Sequence, residues 1–449
     1  MPVLKLKGRG GGNMKNKRKF MGILFFAIFT VILLLCIAYQ LWADPHRGEV
    51  EEAKASLPVD AMLTKEQAVA DIDYVLNHIE SRHPACMDGL PDVVKTQGDK
   101  EKEAMGSSVS VLNLWQSTAR IMALMNDGHT SVMPYYPGAV PRLPFRCKRD
   151  GGSLTCDGSK YDGYRILSIG GISEEELYRT FLRQSSYELE GFASVLYANH
   201  IDRKDYLKFL GVEADTDVDI VMDTPNGEVK ETLRLEETDL SARNNDSFVS
   251  FEIDEEKNVA VLTLKECNYN DEYIDTLKEF FKAVKEKQIG SIAVDLRYNG
   301  GGSSYVINEF LRYIDIDEYY IFGDIDVRYG PFLLTDEKEL IYNQQEEGLV
   351  FDGNVYALTS SGTFSAATDF AMAVTDNNLG YVVGSVSGGM PSIYGDLVQF
   401  QTPNAKLLFT VSYKYFHRPD PGKDAEPLKP DYPVEAGSAL EEVYRLAGQ

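Results

Sequence analysis

Residues 292–302 read Ile292-Ala-Val-Asp-Leu-Arg-Tyr-Asn-Gly-Gly-Gly302, a short apolar run that breaks into a charged, glycine-rich loop. A run of this length, bounded by glycine, reads as a buried strand rather than a helix. Upstream, Val259-Ala-Val-Leu-Thr-Leu264 is a second apolar strand. Between them, Asp271 to Lys287 carries Tyr273, Ile274, Leu277, Phe280, Phe281 and Val284 at helical spacing. Downstream the pattern continues as helix 306–314, strand 355–358, helix 365–375 and strand 381–383. Apolar strands alternating with amphipathic helices predict an α/β core built on a largely parallel sheet with both faces covered. Reactive groups in such sheets gather at the C-terminal ends of the strands.

Two other kinds of segment precede this core. Thr64-Lys-Glu-Gln67 is a capping box, and Ala68, Ile72, Val75, Leu76 and Ile79 continue it as an amphipathic helix that ends before His83-Pro84. Gly89 to Gly106 reads as loop. A second helix runs from about Val109 to Asn126, with Gly128 placed to end it. Together they predict a helical cap over 63–142. Residues 143–236 change character: strand Arg165 to Ile169, a Gly170-Gly171 turn, and a short helix capped by Ser173. Strands 217–223 and 228–235 follow, joined by Pro225-Asn226-Gly227, a strong hairpin signal. This stretch resembles a small β-rich module of PDZ type, leaving 237–449 as the core.

The chain has 449 residues and a formal net charge of −24. A surface this acidic is repelled by phosphate backbones, which argues against nucleic-acid binding. The charge is uneven. Residues 1–19 hold Lys5, Lys7, Arg9, Lys15, Lys17, Arg18 and Lys19 and no acid, and residues 20–42 hold no charge at all. That run is long enough to cross a bilayer as one helix, and its basic flank predicts a cytoplasmic N-terminus and an extracytoplasmic body beyond a polar linker at 43–62. A cleaved signal peptide is the rival reading, although Gln-Leu-Trp-Ala-Asp-Pro has no Ala-x-Ala site. Met14 is an alternative start. Cys147 and Cys156 bracket a Gly-Gly turn, which allows either a hairpin disulfide or two free thiols. Cys86 and Cys267 have no metal-ligand spacing, so no metal is expected.

Two loops leave the ends of neighbouring strands in this scheme. One is Asp295 to Gly302; the other is Thr359-Ser-Ser-Gly-Thr-Phe-Ser365. The second sets Ser365 at a strand-to-helix turn, where free N–H groups and the helix dipole favour developing negative charge. Acyl transfer needs such donors for its oxyanion. The amides of Gly300, Gly301 and Ala366 are the candidates. A capping serine explains Ser365 equally. A serine nucleophile also needs a base. Of six histidines, His129 in Met125-Asn-Asp-Gly-His-Thr-Ser-Val132 lies just after a helix end, where a side chain is aimed rather than buried in a stripe; a purely structural histidine is the alternative.

The Asp295 to Gly302 motif, the Thr359 to Ala366 segment, Asp-Gly-His-Thr and the late Glu426-Pro-Leu-Lys-Pro-Asp431 resemble the S41 peptidases, the C-terminal processing and tricorn-type proteases. The likeness spans roughly 62–436, with its parts in the same order. It implies a ClpP/crotonase-like core and cofactor-free hydrolysis of peptide bonds in a protein or peptide substrate. The processing branch uses a Ser–Lys dyad, but Met390 in Ser387-Gly-Gly-Met-Pro-Ser392 occupies the lysine's place, and a thioether accepts no proton. The tricorn-like branch implies Ser365 as nucleophile, His129 as general base and Glu426 as its orienting carboxylate, with Asp424, Asp420 or Asp396 as substitutes. Gly128 stands where tricorn carries a supporting serine. The oligomeric state is not legible.

Overall fold

The computed structural model describes residues 11–238 and 247–448, with side chains from Lys19 onward apart from Ala38 and Asp150. Lys5, Lys7 and Arg9 of the basic tail lie outside the described residues. Helix α1 (Gly11–Ala38) continues into a π-helical turn at Tyr39–Ala43. Residues Lys19–Ala43 are long and apolar enough to cross a membrane, and none of the most apolar window is buried in the protein. The expected polar linker is docked rather than free. Val50 N–H donates to the Gln399 carbonyl at 2.9 Å and Leu57 N–H to the Ala405 carbonyl at 3.0 Å.

The cap begins with α2 (Lys65–Arg82), whose Thr64 and Gln67 form the reciprocal capping box. Its apolar stripe Ala68, Ile72, Val75, Leu76 and Ile79 is buried. Residues expected as loop form α3 (Asp92–Ala104), because the polar stretch still buries Val94 and packs Gly98 against Leu76. Then α4 (Val111–Met122) ends through a 3₁₀ turn capped by Asn126 in the left-handed region, φ 50°, which corrects the expected stop at Gly128.

Next comes an antiparallel sheet of β1 (Arg146–Asp150), β2 (Ser153–Asp157), β3 (Arg165–Ile169), β4 (Asp217–Thr224) and β5 (Gly227–Arg234), ordered β5-β4-β3-β2-β1. Helices α5 (Glu174–Leu182), α6 (Glu190–His200) and α7 (Lys204–Phe209) interrupt it, and the last two went unread in the sequence. Cys147 and Cys156 are direct partners across the β1–β2 hairpin, yet both are free thiols rather than a disulfide. Burial raises both thiol pKa values.

The core sheet joins β6 (Val249–Asp254), β7 (Val259–Leu264), β8 (Ser291–Asp295), β11 (Asn354–Thr359), β12 (Gly380–Gly384) and β15 (Tyr432–Pro433) in that order, parallel from β7 onward. Helices α8 (Asp271–Glu286), α9 (Tyr305–Leu311) and α10 (Ala366–Asp376) pack on one face, burying Tyr273, Phe280, Phe281, Phe310 and Phe370 with Ile292 and Val294. Helix α11 (Ala439–Ala447) covers the other face through Ala439 and Val443. A third sheet, antiparallel and unexpected, orders β10 (Phe332–Asp336), β9 (Ile325–Tyr329), β14 (Leu407–Phe416) and β13 (Ile393–Gln401). Val132–Pro134 of the cap adds to β14. That junction brings cap and core together.

Candidate active site

The serine side is assembled from the ends of β8 and β11. Asp295 and Arg297 form a two-pronged ion pair at 2.9 and 2.6 Å, and Arg297 also donates to the Ala436 carbonyl, so these motif residues brace the loop. Asn299 is fully buried. Its Nδ2 donates to the Leu264 carbonyl at 2.9 Å, and its own carbonyl accepts from Phe364 N–H at 3.0 Å. Asn299 thus ties the end of β7, through its side chain, to the residue before Ser365, through its backbone carbonyl.

Ser365 has φ 52° and ψ −131°, a conformation that costs a non-glycine residue on the order of 1–3 kcal/mol and persists only when its surroundings fix it. It is not a capping serine: its side chain makes no cap hydrogen bond. Gly301, at φ 102°, presses against it, and a Cβ there would lie 2.7 Å from Ser365 Cβ and 3.1 Å from Ala366 N. This close approach is what the glycine permits. Gly301 N–H donates to Asn299 Oδ1 at 2.8 Å, so it is not free for an oxyanion. The N–H groups of Gly300 and Ala366 make no hydrogen bond among the described residues.

The histidine side is built from three regions. Thr410 Oγ1 of β14 donates to the His129 carbonyl at 2.6 Å, and Thr410 N–H to the Ser131 carbonyl at 2.9 Å. From the connection between α5 and α6, Ser186 Oγ accepts from Asp127 N–H at 2.9 Å and Glu188 Oε1 from Gly128 N–H at 3.1 Å. The ring of His129 packs on Phe364, which stacks in turn on Phe192 of α6 with centroids 3.7 Å apart. So aimed, His129 Nε2 stands 3.0 Å from Ser365 Oγ.

Asp127 is the carboxylate behind His129. It is fully buried, and Oδ1 accepts from His129 N–H at 2.9 Å while lying 3.8 Å from Nδ1. Oδ2 accepts from Thr130 Oγ1 at 2.5 Å and faces His83 Nε2 at 3.3 Å. His83 Nδ1 accepts from Ala85 N–H, which leaves Nε2 as the donor to Asp127. Burial alone would raise the Asp127 pKa. The His83 hydrogen bond and charge, with His129 and Thr130, outweigh it and hold the group at about 2. Burial pulls His129 below its ordinary value, opposed in part by Asp127, the Tyr394 backbone and Asp396. Burial thus favours its neutral form, the one able to accept a proton.

Glu426 is not brought to this site. Its exposed carboxylate lies 3.6 Å from Lys429. The late loop that carries it is held elsewhere, since Asp424 accepts from Ser392 Oγ at 2.5 Å and faces His417. Asp420 caps its own turn, and Asp396 pairs with Lys414 at 2.6 Å. The Met390 loop abuts the serine: a Cβ on Gly389 would lie 3.2 Å from Ser365 N. Asp127, His129 and Glu188 offer ligand atoms within 4.8 Å of one another. The Asp127 oxygens already serve His129, Thr130 and His83, so the group reads as a hydrogen-bonded network rather than a metal cage. Asp127, His83 and Glu188 were missed in the sequence; only the place of Asp127 two residues before His129 offered a signal.

Residues 258–434 match the model of peptidase family S41. That stretch of the chain is an S41 peptidase domain. It is accordingly a serine-type peptidase. No curated protein matches it in sequence. Among solved structures, this S41 peptidase is similar to mature CPAF in complex with lactacystin, at 12% identity over 86% of this chain and 98% of the other, with a TM-score of 0.65. A second structure of mature CPAF gives 11%, 85%, 95% and 0.64. A photosystem II D1 C-terminal processing protease gives 13%, 85%, 97% and 0.48. At identities this low, the two CPAF likenesses speak for a shared mixed α/β fold alone.

Proposed function

We propose that this peptidase works through an acyl-enzyme on Ser365, with His129 as general base and then general acid, as in the tricorn-like branch. The 3.0 Å approach of His129 Nε2 to Ser365 Oγ carries this reading. His129 takes the hydroxyl proton as Oγ attacks a peptide carbonyl, and then protonates the leaving amine. Water enters against the same base and releases the acyl group. The Ala366 amide at the start of α10, together with the free amide of Gly300, receives the oxyanion. Gly301 shapes that pocket through its backbone while Asn299 holds its N–H. Asp127 keeps the imidazole oriented and stabilises its charged form, the part assigned to Glu426 from the resemblance.

The same reading makes 237–449 a ClpP/crotonase-like core and 143–236 a PDZ-like module, with 63–142 as cap. Residues 20–42 anchor the protein in a membrane with the catalytic body outside the cytoplasm, supported by the apolar helix and its basic flank. Labelling with a fluorophosphonate probe tests the chemistry. Wild-type protein is expected to react at a single serine, and Ser365→Ala and His129→Ala to lose the label. A well-folded wild-type protein that never reacts would instead be a peptide-binding relative without catalysis.

A further inference from the structure

Gly128 leaves a space beside His129 that a carboxyl from the antiparallel-sheet unit fills. A Cβ on Gly128 would lie 2.8 Å from Glu188 Oε2 and 2.9 Å from the Phe364 ring. Glu188 reaches there from between α5 and α6, with Oε1 on Gly128 N–H and Oε2 buried without a partner among the described residues. The same segment supplies Ser186 to Asp127 N–H and Phe192 to Phe364, while Gly191 packs on Ser361, where a Cβ would come within 2.8 Å of Oγ. Residues 186–192 therefore grip both halves of the catalytic pair.

We propose that Glu188 is a positioning residue for His129, through which the antiparallel-sheet unit sets whether the site is competent. This rests on the peptidase reading above. Two consecutive N–H groups, of Asp127 and Gly128, face acceptors from this one segment, which fixes the peptide leading into His129. A displacement of that peptide by about 1 Å costs on the order of a hundredfold in rate. The groups facing Glu188 are Asp127, His129 and Tyr415 of β14. Burial, then the Asp127 charge, pushes the Glu188 pKa up to about 8, so it is a neutral acid at neutral pH. Its ionisation places a second negative charge beside Asp127 and disturbs the grip.

The test measures the rate of Ser365 labelling by a fluorophosphonate from pH 6 to 9.5 in the full chain, with thermal unfolding alongside. Glu188→Ala is expected to slow labelling by about ten- to a hundredfold at pH 7. Glu188→Gln keeps an acceptor for Gly128 N–H without a titrating proton. It is expected to label within about threefold of wild type and to lose the decline in rate that wild type shows above about pH 8. Wild-type labelling in Glu188→Ala, or an unchanged alkaline limb in Glu188→Gln, overturns the proposal. If Glu188→Ala does not fold, the Gln profile still decides. Failure of wild type to label at Ser365 would sink the peptidase reading instead.

Discussion

The two halves of the proposed catalytic pair are built differently. Ser365 sits at the end of β11, beside a loop from the adjacent β8, and the strain of its turn is held by Asn299 and Gly301 from that loop. His129 belongs to a loop after α4 whose position is set by Thr410 of the third sheet, by Ser186 and Glu188, and by Asp127 with His83 behind it. One half is pre-formed by a parallel sheet. The other exists only when three distant segments meet.

Ser365→Ala gives the largest expected effect: kcat on a peptide substrate falls by on the order of 10⁴- to 10⁶-fold, with thermal stability little changed because one half-buried hydroxyl is removed and the backbone turn stays as it was. Loss of stability in that variant would show that the serine half is not self-supporting. Asp127→Asn comes next, with kcat down about 10²- to 10³-fold. It also destabilises by about 3 kcal/mol, since a buried hydrogen-bonded charge loses its partners. The pH signs of the histidine half are opposed. Asp127, held at about 2, contributes stability that is present above its ordinary carboxylate pKa and is lost as pH falls through about 2. Glu188, raised to about 8, contributes stability that is fully present below its ordinary pKa and is lost as pH rises through about 8. Thermal melts of wild type and Glu188→Gln between pH 5 and 9 check the latter.

Gly301→Ala strikes the serine half. A Cβ at φ 102° against Ser365 is expected to lower kcat about a hundredfold with little change in KM. Equal losses in kcat and in substrate binding would place the damage in the substrate cleft instead. The smallest effect is expected from Glu426→Gln, less than about twofold, because that carboxylate is exposed and lies beside Lys429 rather than His129. A large loss would restore Glu426 as the orienting residue and displace Asp127.

Most of the parallel core was legible because each strand and helix carries its own period: 259–264 and 271–286 appear where the apolar pattern put them. Polar stretches were misread. Helix α3 reads as loop in the sequence, and α6, α7 and the sheet of β9, β10, β13 and β14 carry no local signal, because their stability comes from partners distant in the chain. By itself the sequence determined the apolar N-terminal helix, the alternating core and the serine at its strand end, all local consequences of composition and spacing. Only the tertiary structure decided which acids face His129. A carboxylate's partner is set by packing: Asp127 is enclosed by His83 and Thr130, Glu188 is delivered by another unit, and Glu426 is left in water.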